Sequence, residues 1–217
     1  MKQILAAATF ILLPVLSSAA WAQPPGRLTV TGTIEHARIT DDDSFLGSGF
    51  GGGGGIQWRL TDATAIELEI GREHHRRDFG SFAVAFDAQG RPQALPYTRR
   101  WEGTATFVIA SVSHAFGSGP VRPVLWGGGG VMSHGGTRRG PIVAPQVPPG
   151  LVLQPGDFDS IDGAASRALA ADGGLGVDVR IAPRISMRPF AGLRLVGTEN
   201  VGPKYIVRTG VRIGFRP

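Results

Sequence analysis

The chain has 217 residues, 42% hydrophobic and 18% charged, a balance that excludes both a disordered chain and a helical membrane protein. Its formal net charge is +5, but the arginines are scattered singly. With no basic block, RNP-like aromatic motif or helix-turn-helix pattern, no nucleic-acid partner is expected. Glycine at 33 and proline at 16 argue against long helices, and cysteine is absent, as suits a chain exported into an oxidising compartment.

Residues 1–22 read as a signal peptide. Lys2 supplies the positive start, residues 4–16 are apolar, and Ala20-Trp21-Ala22 is an A-x-A cleavage site. The apolar run is shorter than a membrane span and Pro14 interrupts it, so cleavage is expected and residues 23–217 form one domain. No other stretch reads as a helical span, so membrane residence requires a barrel.

A first strand is expected over residues 27–38, where Leu28, Val30, Ile34 and His36 alternate with threonines and Glu35. Residues 40–49 form a polar loop. Its Asp41-Asp42-Asp43 run lacks the spaced ligands and later glutamate of a calcium loop. Gly51 to Gly55 precede no Gly-Lys-Ser/Thr and open no helix, so they read as bending points of a small barrel rather than a phosphate loop.

The clearest signal is residues 56–70. Ile56, Trp58 and Leu60 alternate with Gln57 and Arg59; Thr61-Asp62-Ala63 breaks the run; Ile66, Leu68 and Ile70 then alternate with Glu67, Glu69 and Gly71. This is a hairpin. Its register sets Trp58 against Ile66 and Ile56 against Leu68, leaving Gln57, Arg59, Glu67 and Glu69 on a charged face that a barrel would enclose. The run REHHRR, residues 72–77, ends that strand. His74 and His75 point to opposite faces, and His36, His114 and His134 lie on other segments. No metal or other cofactor is expected.

Residues 78–97 read as a long connection, with Pro92 and Pro96 near its end. A fourth strand spans residues 99–116, a turn 117–120, and a fifth strand 121–132 with glycines at 127–130. The facing of these two strands stays open, because both parities are small or apolar. Residues 133–167 form the longest connection, rich in proline from Pro141 to Pro155. A sixth strand spans 169–181, with Asp172, Asp178 and Arg180 on the polar face. A seventh spans 185–195, with Arg188 and Arg194 on that face, and the last spans 205–215. If Ala182-Pro183-Arg184 is the turn, Ile181 opposes Ile185. Constant pair sums then set Val179 against Met187, Asp178 against Arg188 and Asp172 against Arg194.

The expected fold class is therefore all-β, a single antiparallel up-and-down transmembrane barrel of eight strands. Its connections alternate short and long, and aromatics stand near strand ends at Trp101, Phe116, Tyr205 and Phe215. With its signal peptide, RLTDATAIELEIG and the final YIVRTGVRIGF, the chain resembles the small outer-membrane β-barrel proteins of Gram-negative-type bacteria, the OmpA-barrel, OmpX and OmpW-like group. Members end on an aromatic residue read by the assembly machinery, whereas here Phe215 is followed by Arg216 and Pro217. The resemblance implies a monomer in the outer membrane, partnered by the lipid bilayer and that machinery, with surface ligands at the loops and no peptidoglycan-binding domain.

The expected role is non-enzymatic, structural or surface-interacting. Asp178, Arg188, Asp172, Arg194, Arg59, Glu67 and Glu69 are the candidate lumen ion pairs, and no catalytic residue is assigned. Two alternatives stand beside it. A lipid- or lipopolysaccharide-modifying enzyme would carry histidine and serine two positions apart on one strand. Here no histidine is followed by a serine two positions later, and of Ser111 and Ser113 only Ser113 adjoins His114, on the opposite face. A soluble lipocalin-like carrier would require the apolar face to line the lumen.

Overall fold

The computed structural model describes residues 28–40, 47–143, 146–153, 166–197 and 204–217. The signal peptide and the Asp41–Asp43 loop lie outside them. Nine strands form one sheet: β1 (Leu28–Ile39), β2 (Ser48–Arg59), β3 (Thr64–Phe86), β4 (Pro92–Ala115), β5 (Val121–Val143), β6 (Val152–Leu153), β7 (Ser166–Ala182), β8 (Ile185–Val196) and β9 (Lys204–Phe215). Their order is β2-β1-β9-β8-β7-β5-β4-β3-β6, and β2 also pairs with β3. The eight long strands thus close into an antiparallel barrel, which removes the sheet edges that a bilayer cannot satisfy. Two-residue β6 merely pairs with the end of β3, at Ala85 and Phe86.

The faces are inverted relative to a water-soluble protein. Ile34 (73% exposed), Leu175 (65%) and Ile70 (58%) point outward, whereas Arg194 (0%), Glu73 (0%) and Arg208 (1%) point into the lumen. A soluble carrier would need the opposite arrangement, so that alternative is set aside: apolar outside and charged inside is the pattern of a transmembrane barrel. Phe116 and Phe215 are exposed at the short-turn end and Tyr205 at the other, as an interfacial girdle requires. The side chain of Trp101 lies outside the described residues.

The β2–β3 hairpin has the expected register, Trp58 against Ile66 and Ile56 against Leu68. The connections after β2, β4 and β7 lie at one end, and the turn 87–91 after β3 lies at the other. The β7–β8 turn differs by one residue: Ala182, not Ile181, opposes Ile185, with a register shift between Arg180 and Ala182. Pro183 and Arg184 alone make the turn, and the irregularity at Ile181 absorbs the extra residue. Val179 therefore still meets Met187 and Asp172 still meets Arg194.

Two expected loops are largely strand. β3 and β4 continue through most of residues 78–97, and β5 continues to Val143. The prolines fit for a physical reason. Asp87 N–H donates to Arg91 O at 3.1 Å and Ala115 N–H to Ala63 O at 2.7 Å. Odd-numbered β3–β4 pairs therefore exchange hydrogen bonds, and Pro92 and Pro96 fall on non-bonded pairs, where no ladder donor is lost. Pro141 lies on β5 beyond His134, the last residue paired with β7 among the described residues. The hairpin rises past the barrel rim, and its inner side packs Ala83, Ala85, Leu95 and Tyr97 against Leu151 and Leu153. Asp87 closes its tip, accepting from the N–H groups of Gln89 and Arg91, both at 2.9 Å. The Arg91 backbone donor, foremost, holds the Asp87 carboxyl below its usual range.

Candidate functional site

The parity of β4 and β5, open in the sequence, is settled by their neighbours. Phe107, Ile109, Trp126 and Met132 face inward. Phe107, Trp126 and Phe190 of β8 each lie on the glycine directly opposite on a neighbouring strand. A Cβ at Gly71 would come within 2.3 Å of Phe107 Cζ, one at Gly174 within 2.6 Å of Trp126 Cζ2, and one at Gly210 within 2.9 Å of Phe190 Cζ. Glycine here is a matter of room, and the rings fill what the missing side chains leave. Gly71→Val should therefore cost about 1 to 3 kcal/mol by overpacking. Gly32→Val, where nothing stands within 4 Å of an added Cβ, should stay within about 0.5 kcal/mol of the parent in urea unfolding.

Around these rings the lumen is crossed by ion pairs. β3 carries Glu67, Glu69 and Glu73 inward; β8, four strands away around the closed barrel, carries Arg188 and Arg194. The two strands face each other across the diameter, and their side chains meet. Arg188 donates to Glu67 Oε1 at 2.8 Å, and Arg194 to Glu73 Oε1 at 2.5 Å. Each arginine also holds a carboxylate of neighbouring β7: Arg188 Nε to Asp178 Oδ1 at 2.6 Å, and Arg194 to Asp172 Oδ2 at 2.9 Å and 3.1 Å. β9 adds a third set. Arg212 donates to Glu69 Oε2 at 2.7 Å and also binds Glu67; Arg208 donates to Glu35 Oε2 at 2.7 Å and also binds Asp172. Arg194 Cζ sits 3.9 Å over the centre of the Phe107 ring.

Smaller polar groups complete the set. Glu67 Oε1 accepts from Gln57 Nε2 and Ser113 Oγ, both at 2.8 Å. His75 Nε2 lies 2.8 Å from Glu73 Oε2, so this nitrogen carries the proton when the carboxylate is ionised. Ser113 points inward, while His114 is exposed and bonds Thr64 Oγ1 at 2.9 Å. The histidine beside Ser113 is thus turned to the other face.

Of the residues expected at the site, Asp178, Arg188, Asp172, Arg194, Glu67 and Glu69 are brought together. Arg59 is not: it lies at the short-turn mouth and forms no salt bridge among the described residues. It closes β2, below the level at which Glu67 is held by Arg188 and Arg212. Sequence reasoning left out Glu35, Glu73, Arg208 and Arg212. Their signal was available as parity: each alternates with outward residues such as Ile34, Ile70, Val207 and Val211. Only the closing β1–β9 register, Glu35 against Gly210 and Thr33 against Arg212, brings them to the same level.

No family model matches this sequence, and no curated relative matches it. Among solved structures, the chain is similar to Ail, the attachment invasion locus protein of Yersinia pestis, in complex with the heparin analogue sucrose octasulfate. Identity is 12% and the TM-score 0.50, over 88% of this chain and 99% of that one. A second Ail structure gives 11% and 0.50 over the same shares. Neisserial surface protein A gives 12% identity and a TM-score of 0.48, over 90% of this chain and all of that one. At such identities the likeness to Ail is one of fold, the eight-stranded outer-membrane barrel.

Proposed function

We propose that this chain is an integral outer-membrane protein, exported by residues 1–22, whose closed barrel is a structural support for contacts made at its long-connection end. The observation that carries this reading is the pair of arginines spanning the lumen diameter, Arg188 to Glu67 and Arg194 to Glu73. A lumen so occupied leaves no open channel for general diffusion, and the ion pairs serve as its structural filling. The role then falls to the rim. There β3, β4 and β5 rise past the shorter strands, and Leu151 and Leu153 fold back onto the hairpin. The bilayer and the assembly machinery are the partners of the barrel, and surface ligands those of the raised hairpin. The protein acts as a monomer.

Protease added to intact cells tests the orientation. The connection between β5 and β7, exposed at residues 146–150, should be nicked from outside, leaving a protected two-part barrel. Cleavage only after the outer membrane is permeabilised would place the long connections in the periplasm and overturn the reading.

A further inference from the structure

The charge balance of the lumen does not extend to its short-turn mouth. There Arg59, Arg122, Arg180 and Arg216 line, with a single carboxylate, Asp178, a small recess that is partly open to solvent. They come from four parts of the chain: the end of β2, the start of β5, the end of β7 and the residue after β9. Asp178 is already held by Arg188 at 2.6 Å, and Arg122 lies 3.8 Å from its other oxygen while donating to Asp62 O at 3.0 Å. Arg59, Arg180 and Arg216 have no acid partner within salt-bridge reach among the described residues. Arg59 also stands in the repulsive field of Arg216, Arg122 and Arg180.

A second observation points the same way. Two buried polar atoms lining this opening, Arg216 Nε and Thr29 Oγ1, have no hydrogen-bond partner among the described residues. The segments that bear the arginines are nonetheless fixed. Arg180 N–H donates to Pro120 O at 2.7 Å, and Arg216 N–H to Arg184 O at 2.8 Å. Guanidiniums carried on fixed backbone around one small recess, and short of acceptors, match the several oxygens of a tetrahedral oxyanion.

We propose that the short-turn mouth of the lumen is a binding site for a phosphoryl group, with Arg59, Arg180 and Arg216 supplying charge and Thr29 a hydroxyl donor. The group comes either from a soluble phosphate compound or from an anionic lipid headgroup at the adjoining leaflet.

The test uses the full chain purified from membranes in zwitterionic detergent, titrated with pyrophosphate at constant ionic strength and read by calorimetry and thermal unfolding. Saturable binding with a raised unfolding temperature is expected, and chloride should give neither. Arg59→Gln combined with Arg216→Gln should weaken binding about tenfold or more, and Thr29→Val, close to isosteric, by less. Arg38→Gln with Arg72→Gln, on the outer face at the far end, should leave it unchanged. Adding phosphatidylglycerol to the micelles distinguishes the sources: competition assigns the group to lipid, and undiminished pyrophosphate binding to a soluble compound. Absence of saturable binding, an equal response to chloride, or unchanged affinity in both the double variant and Thr29→Val overturns the proposal.

Discussion

Arg194→Met should lower the unfolding free energy of the barrel by about 3 to 5 kcal/mol. Arg194 is fully buried and bridges two carboxylates, Glu73 and Asp172, while its guanidinium lies on Phe107. Methionine fills similar volume, so the loss is one of charge rather than packing. It leaves Glu73 to His75 and Asp172 to Arg208, with one positive charge too few at that level. Adding Glu73→Gln to the methionine variant should recover a part of the loss, because the stranded carboxylate is then removed. Urea titration in liposomes reads both variants. A single variant within about 1 kcal/mol of the parent would show that the lumen is hydrated enough to tolerate the unpaired acids.

The second large effect belongs to the outer face. Leu68→Arg and Val177→Arg should each cost about 2 to 4 kcal/mol, as a charge in the hydrocarbon layer does. Both side chains point outward, and Leu68 is flanked on its own face by Ile66 and Ile70. Glu69→Gln, one residue along the same strand, should cost about 1 kcal/mol. It faces the lumen, and its partner Arg212 retains Glu67. Folding yields into liposomes that are equal for all three would contradict the assignment of faces.

The barrel was legible where alternation was strict and the turn short. Residues 56–70 give their register because every one-residue slip would set apolar against charged. The Asp172–Arg194 level survives a misjudged turn because the irregularity at Ile181 restores the count. The raised hairpin was hidden by the opposite condition. Towards the rim the outward positions cease to be apolar, Arg72, His74, Arg76 and Asp78 taking them while Glu73 and His75 face the lumen, so residues 72–78 carry charges on both faces and read as a strand end. The prolines reinforced that reading, since nothing local shows that Pro92 and Pro96 occupy non-bonded pairs. The inward facing of β4 and β5 was hidden for a third reason. Their lumen residues are rings and aliphatics whose partners are glycines directly opposite on the neighbouring strand, Gly71 to Phe107 and Gly174 to Trp126, so neither parity shows a charged face.

The pairing of β1 with β9 governs the order in which the chain enters the bilayer. Glu35 comes from the first strand and its partner Arg208 from the last, a separation of 173 residues. Until the two strands meet, Arg208 keeps only Asp172 and Arg212 lacks Glu67 and Glu69 of β3, so an unclosed curl of strands would press an unpaired guanidinium into hydrocarbon. Strand-by-strand immersion is therefore disfavoured. The seam has to zip while the nascent lumen is still wet, so that dehydration and closure become one late, concerted step of assembly.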